Sequence, residues 1–376
     1  MSAGRLDVDA LLDDPATRIV VCCGAGGVGK TTTAAALGLR AAERGRHAVV
    51  ITVDPARRLA QSMGLETLDN TPSPVPLPEG TPGSMHAMML DMKRTFDEVV
   101  EEHADPERAR QILANPFYRT LSTSFSGTQE YMAMEKLGQL RQSGEWDLIV
   151  VDTPPSRSAL DFLDAPKRLG RFLDGRLVKF LSAPAPSGAF RLLGAGMGLV
   201  TSVLGKILGA QLLNDLRAFV AAFDTVFGGF QERAERTYRL LQAPGTAFVV
   251  VAAPEPDALR EASYFMRRLA TDAMPLAGLV VNRAHPLPEG AGARLDAEVA
   301  TAAAESLEAA GTHPGASAAL RLHAELVRTH RRERGLRERT AADHPGVPVA
   351  EVPALPEDVH DLDGLRGIGE ALARGA

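Results

Sequence analysis

Seven apolar runs rich in β-branched residues recur along the chain, at 19–23, 48–53, 85–90, 148–151, 247–251, 279–281 and 347–352. Several are continuous rather than alternating, the pattern of strands covered on both faces. Helical spacing of apolar positions fills the intervals, and this alternation predicts an α/β fold built on a doubly wound, mostly parallel sheet. Two intervals are longer than a crossover needs. The first, 95–145, carries Phe96, Val99 and Val100, then Met132, Met134, Leu137 and Leu140. The second, 158–242, is apolar and broken by Ala183-Pro184-Ala185-Pro186-Ser187-Gly188. Both read as helical insertions within a single domain spanning 1–376. Five prolines among the fifteen residues 69–83 exclude helix and central strand, and predict an extended surface excursion.

Composition then narrows the partners. The chain of 376 residues is 45% hydrophobic with a net charge of −6, which allows a sizeable core and argues against wholesale nucleic-acid binding. Residues 1–15 are acidic and lack the apolar stretch of a secretory leader, so the expected compartment is the cytoplasm. Cys22 and Cys23 are the only cysteines. Adjacent positions on a strand face opposite ways, so the pair is not expected to bridge. The absence of any Cys-x-x-Cys removes the usual zinc and iron–sulfur readings.

The chemistry concentrates in Gly24-Ala25-Gly26-Gly27-Val28-Gly29-Lys30-Thr31-Thr32, which fits the phosphate-loop pattern G-x-x-x-x-G-K-[ST]. It follows a predicted strand and opens an Ala/Leu-rich helix, the context that the motif requires. Glycines let backbone N–H groups converge on phosphate oxygens, and the helix N-terminus adds the positive end of its dipole. Lys30 would reach the β- and γ-phosphates, and the Thr31 hydroxyl would bind Mg²⁺. The chain is therefore expected to bind a nucleoside triphosphate, with ATP and Mg²⁺ as ligands.

Three more motifs accompany the loop: Thr52-Val53-Asp54-Pro55-Ala56-Arg57-Arg58 after the second strand, Leu148-Ile149-Val150-Val151-Asp152-Thr153 ending in an acid, and Val280-Val281-Asn282-Arg283. With them, most of the chain resembles the ATPase family of the arsenite pump and the tail-anchored-protein targeting factor. That family belongs to the deviant Walker A group of P-loop NTPases, with the septum-site and partitioning ATPases. The resemblance implies that Asp54 orients the attacking water and that Asp152 holds Mg²⁺ through its water shell. It implies that Asn282 reads the adenine edge and that Val352-Pro353-Ala354-Leu355-Pro356 packs near the base. Glu255 and Asp257 fall in a loop of the same family. Each acid has a plainer reading as well, Asp54 as a turn residue before proline and Asp152 as a strand-terminating cap; Asn282 reads equally as a turn residue.

Two departures from the family pattern matter. Where the family's loop carries a second lysine, this chain has Ala25. That lysine crosses a dimer interface and adds positive charge during phosphoryl transfer, in the manner of an arginine finger. A methyl group cannot, so either hydrolysis by the chain alone is weak or a lysine-bearing paralogue supplies the charge in a heterodimer. The chain looks like the lysine-lacking member of an actinobacterial ATPase pair. The other departure follows Asp152, where Arg157 and Ser158 replace the family's glycine and histidine.

Further along, the uncharged stretch 192–205 is shorter than the roughly twenty residues of a membrane span. Leu192, Leu193, Met197, Leu199, Val200, Val203, Leu204, Ile207 and Leu208 could line a groove for a hydrophobic client, a membrane-facing patch, or ordinary packing. The arginine-rich run 328–339 lacks aromatics, and Glu333 and Arg337 stand at i,i+4, which predicts a solvated helix face and no sequence-specific nucleic acid. Met85, Met88, Met89 and Met92 read as core filler. A guanine-specific site is disfavoured, since Asn282-Arg283-Ala284-His285 stands in place of Asn-Lys-x-Asp. Three functions follow: an ATP-driven dimeric switch acting on a partner, a nucleotide-dependent chaperone for hydrophobic segments, or a partitioning ATPase on DNA or membrane. The first leads.

Overall fold

Each predicted apolar run becomes a strand of one sheet. A computed structural model describes residues 4–53, 57–115, 118, 128–153, 230–287 and 295–374. The strands are β1 (Ile19–Gly24), β2 (His47–Thr52), β3 (Ser73–Pro74), β4 (Ser84–Met89), β5 (Leu148–Asp152), β6 (Thr246–Ala252), β7 (Leu276–Ala284) and β8 (Val349–Pro353). Their order across the sheet is β3-β4-β2-β5-β1-β6-β7-β8. All pairs are parallel except β3 with β4. Chain order therefore reverses direction at β1, whose neighbours are β5 and β6, and a crevice opens beyond its carboxyl end.

Helices cover both faces, which is why the central strands are buried at every position. On one face, Val20, Cys22, Val50, Val150, Val249 and Val251 form a continuous apolar cluster with alanines and leucines of the helix α2 (Lys30–Glu43). The short helix α1 (Val8–Asp13) extends this layer, with Arg40 of α2 and its C-terminal cap Arg44 ion-paired to Asp9 and Asp13. After β2 comes α3 (Arg57–Ser62).

The proline-rich segment is neither helix nor central strand and runs mostly along the surface, as expected, with one addition. It contributes the two-residue edge strand β3, and Leu68, Asn70 and Val75 are buried. The prolines prevent a long ladder, but each apolar residue among them still finds the core.

The chain divides into two compact units. The first comprises 1–89, 145–156 and 241–376 and contains the whole sheet; the second comprises 90–144 and 157–240. In the second, α4 (Met92–His103) and α5 (Pro106–Ala114) start on side-chain caps from Asp91 and Asp105, and α6 (Thr128–Ser143) and α7 (Phe230–Gln242) follow, the last two residues of α7 belonging to the first unit. Phe96, Val99, Val100, Met132, Met134, Leu137 and Leu140 are all buried. Tyr118 donates to Asp97 at 2.8 Å and meets Phe96 edge-on. The Arg157 and Ser158 departures and the apolar stretch 192–208 lie outside the described residues.

The first unit continues through α8 (Pro256–Thr271), α9 (Ala297–Ala309), α10 (Pro314–Asp343) and α11 (Leu362–Arg374). The arginine-rich run lies on α10, but its pairing differs from the expected i,i+4 bridge. Glu333 is buried and bonded to His285, while Arg337 pairs with Glu351 of β8. Tertiary partners outcompete the neighbour one turn away, whose exposed pairing is worth only about 0.3–0.5 kcal/mol. No helix among the described residues is long and apolar enough to cross a membrane.

Candidate functional site

Beyond the carboxyl end of β1 the chain must turn sharply into α2, and the glycines make the turn feasible. Gly24, Gly27 and Gly29 all have positive φ. A Cβ on Gly24 would stand 2.0 Å from the Val251 carbonyl oxygen, so only glycine lets the loop leave the sheet here. At Gly29 (φ +92°) a Cβ would stand 2.2 Å from the Asn282 amide nitrogen. Asn282 in turn donates through Nδ2 to the Val28 carbonyl at 2.8 Å. The loop and the end of β7, 254 residues apart in sequence, thus hold each other.

Parallel register aligns the ends of three strands. Asp152 pairs with Cys22 of β1 on one side and Thr52 of β2 on the other. Its carboxylate, fully buried, accepts from the Thr31 hydroxyl at 2.6 Å and the Thr52 hydroxyl at 2.9 Å. Thr153 donates back to the Cys22 carbonyl at 2.9 Å and fixes the strand end. Lys30, 7% exposed, donates to the Ala25 carbonyl at 2.8 Å. A cation, a hydroxyl and a carboxylate therefore converge where α2 begins, with backbone amides around them.

Lys30 and Thr31 open into a cleft of about 790 Å³, within the range of small-molecule sites, while Asp152 stands buried behind Thr31 and does not line it. Its lining brings together Gly27, Gly29, Lys30, Thr31 and Thr32 of the loop with Asn282 and Arg283. Pro353, Ala354 and Leu355 line it too, as the sequence predicts for the late loop. Gly24, Ala25, Gly26 and Val28 complete the turn, Ala25 being 8% exposed. Asp54 lies outside the described residues. Glu255 and Asp257 sit at the start of α8, exposed, and neither is among the residues that line the cleft.

Four features escape sequence reading. Thr52 holds Asp152 from the neighbouring strand, a partnership visible only once the register is known. Glu357, Asp358, Val359 and His360 line the cleft from a loop without an evident pattern. Glu333 reaches from α10 to the end of β7, accepting from the His285 backbone N–H at 2.9 Å and from its Nδ1 at 2.7 Å. Arg283, at the strained φ of +61°, donates to the Gly27 carbonyl.

The thiols contribute no reactive group. Burial pushes the Cys22 thiol well up, and the nearby Asp152 carboxylate adds to the shift; burial pushes Cys23 up to about 12.

Comparison with known proteins shows the family. The sequence profile of the anion-transporting ATPases matches residues 17–294. The chain belongs to the anion-transporting ATPase family. The match covers the loop, Asp152 and Asn282 together. Individual relatives are distant. "ATPase GET3" of Malassezia globosa is 27% identical over 206 residues, 54% of this chain and 58% of that protein. "ATPase GET3B" of Arabidopsis thaliana is 28% identical over 303 residues, 74% of this chain and 67% of its own. "ATPase ARSA2" of Chlamydomonas reinhardtii is 27% identical over 301 residues, 77% and 74% of the two chains. The chain thus spans a little under three fifths of the Malassezia protein, and more of the other two.

Proposed function

We propose that this member of the anion-transporting ATPase family binds and hydrolyses ATP, and that its nucleotide state is read by a partner. The observation that carries the reading is the convergence of Lys30, Thr31 and Asp152 at the mouth of β1 beside a cleft of nucleotide size. The Lys30 ammonium would exchange the Ala25 carbonyl for phosphate oxygens and offset the charge that develops there. Water attacks the γ-phosphorus, the bond to the β–γ bridging oxygen breaks, and ADP and phosphate leave. Asp54 is the residue assigned to orient that water. Asn282, with its NH₂ group tied to Val28, keeps a carbonyl oxygen able to accept from the amino group of adenine.

Thr31 and Asp152 are both oxygen donors and stand in contact, a donor set that suits a hard cation such as Mg²⁺. They would hold the ion, Asp152 through water, and the bound ion would supply charge neutralisation on the phosphates. Thr52 would keep the Asp152 carboxylate aimed at that position.

Ala25 brings no charge toward a second subunit. We assign the missing charge to a lysine-bearing paralogue in a heterodimer, with a homodimer as the less active alternative. ATP turnover of the chain alone, with such a paralogue, and as the Ala25→Lys variant tests this. Marked stimulation by the paralogue supports it; brisk turnover by the isolated chain, unchanged by the partner, refutes it.

The compartment we assign is the cytoplasm, with peripheral association at a membrane where the client resides. Arsenite is a poor cargo for these residues, because a thiophilic metalloid wants thiolates and both cysteines are buried and protonated at neutral pH. A hydrophobic client is the second reading, favoured by the uncharged stretch 192–205. Nucleotide-sensitive capture of a transmembrane peptide, lost when charges replace Leu199 and Val203, would support it; capture indifferent to those charges would dispose of it.

A further inference from the structure

The first unit holds a second cavity, of about 690 Å³, between α10, the edge strand β8 and the N-terminal segment at Gly4 and Arg5. Its floor is apolar, made by Met266, Leu279 and Val281, each at most 4% exposed. Its rim is cationic. Arg334 and Arg337 are matched by Glu338 and Glu351, which also line the space. Arg5 instead donates to the Ala373 carbonyl, and among the described residues no carboxylate forms an ion pair with it. Asp9, whose field includes Arg5, is already engaged by Arg40 and Arg44.

One polar atom in the wall is unsatisfied. His344 Nε2 is shut from solvent with no hydrogen-bond partner among the described residues. Burial, and the charge of Arg267, hold its ring below the usual histidine range, so near neutral pH the imidazole is uncharged with one nitrogen still able to donate. An unsatisfied buried polar atom calls for an explanation, and an oxygen of a bound ligand would provide one.

This cavity is also wired to the nucleotide cleft. His330, in the cavity wall, donates through Nδ1 to the His285 carbonyl at 2.8 Å. One turn on, Glu333 holds the His285 backbone N–H and imidazole. His285 itself lines the nucleotide cleft, three residues beyond Asn282. A shift of α10 by a ligand on one side is thereby felt at the end of β7 on the other.

We propose that the second cavity binds a small organic anion, a carboxylate on an apolar body, and that His330 and Glu333 couple its occupancy to the nucleotide cleft. The apolar body lies over Met266, Leu279 and Val281; the carboxylate meets Arg5 once its guanidinium exchanges the Ala373 carbonyl for the ligand, and a turn of the His344 ring brings Nε2 to one carboxylate oxygen. The coupling half rests on the ATP reading above, and the binding half does not.

The test uses the full chain and sodium octanoate as probe. Calorimetry without nucleotide should record saturable uptake of one octanoate, at least tenfold tighter than uncharged octanamide. Arg5→Gln should bring octanoate down to the octanamide level. Ala341→Trp, which fills the cavity from α10, should abolish uptake without lowering Tm. The apparent Kd for ATP should change severalfold at saturating octanoate, and Glu333→Gln should remove that change. No saturable octanoate uptake overturns the site, as does uptake indifferent to both Arg5→Gln and Ala341→Trp. Octanoate uptake with an unmoved ATP Kd overturns the coupling. Octanoate uptake by a chain that binds no ATP leaves the cavity standing and removes the nucleotide reading instead.

Discussion

Gly29 shows how one residue ties the glycine-rich loop to the end of β7 at Asn282. Its φ of +92° and the Asn282 amide at 2.2 Å from a notional Cβ impose two separate demands, one conformational and one steric. Gly29→Ala is therefore expected to weaken nucleotide binding and to destabilise the chain by about 1–2 kcal/mol. Adding Asn282→Ala should recover the steric part only, so the double variant should melt above the single one yet below the parent. Melting curves of the three chains decide it, and additive losses would remove the contact from the account. A second expectation at this scale concerns the thiols. With Cys22 and Cys23 buried and their thiols pushed up, a thiol-reactive dye at pH 8 should leave the folded chain unlabelled. In denaturant it should modify both, and rapid native labelling of either would contradict their placement.

At the scale of elements, Arg46 does what no hydrophobic contact could. Its guanidinium, largely buried, donates to the carbonyls of Leu12, Asp14, Thr17 and Asp147, joining the α1–β1 connection to the start of β5. Arg46→Met keeps the volume but strips several buried carbonyls of their donor, at an expected cost of about 3 kcal/mol or more; chemical denaturation should register it, and a loss below 1 kcal/mol would mean that water replaces the guanidinium. Nothing in the sequence marks this arginine, because its partners are backbone atoms scattered over the first 147 residues. The strands were legible for the opposite reason: continuous runs such as Val20-Val21-Cys22 can be stable only when covered on both faces. The phosphate loop was legible because its spacing encodes a turn. Glu333 was not, since an i,i+4 pattern on α10 offers a plausible local partner and conceals the distant one. The edge strand β3 was hidden by Pro74 within a two-residue element.

For the whole molecule, the strand order decides where ligand energy enters. Every described residue lining the nucleotide cleft belongs to the unit that contains the sheet. Nucleotide binding must therefore stabilise that unit directly, by an amount set by mass action. At a concentration one hundred times its Kd, Mg·ATP is expected to add about 2.7 kcal/mol, and each further tenfold about 1.4 kcal/mol. Scanning calorimetry should display this as a concentration-dependent rise of the transition that reports the sheet unit. Two variants separate the contributions. Lys30→Ala removes the ammonium assigned to the phosphates under the proposed function and should abolish most of the rise. Asp152→Asn keeps the Thr31 and Thr52 hydroxyls near an oxygen but lowers the charge available to the cation, so it should erase the difference between Mg²⁺ and chelator while leaving part of the rise with ATP alone. A melting profile indifferent to millimolar Mg·ATP in the parent chain would sever the convergence of Lys30, Thr31 and Asp152 from nucleotide binding, whatever the cleft's dimensions.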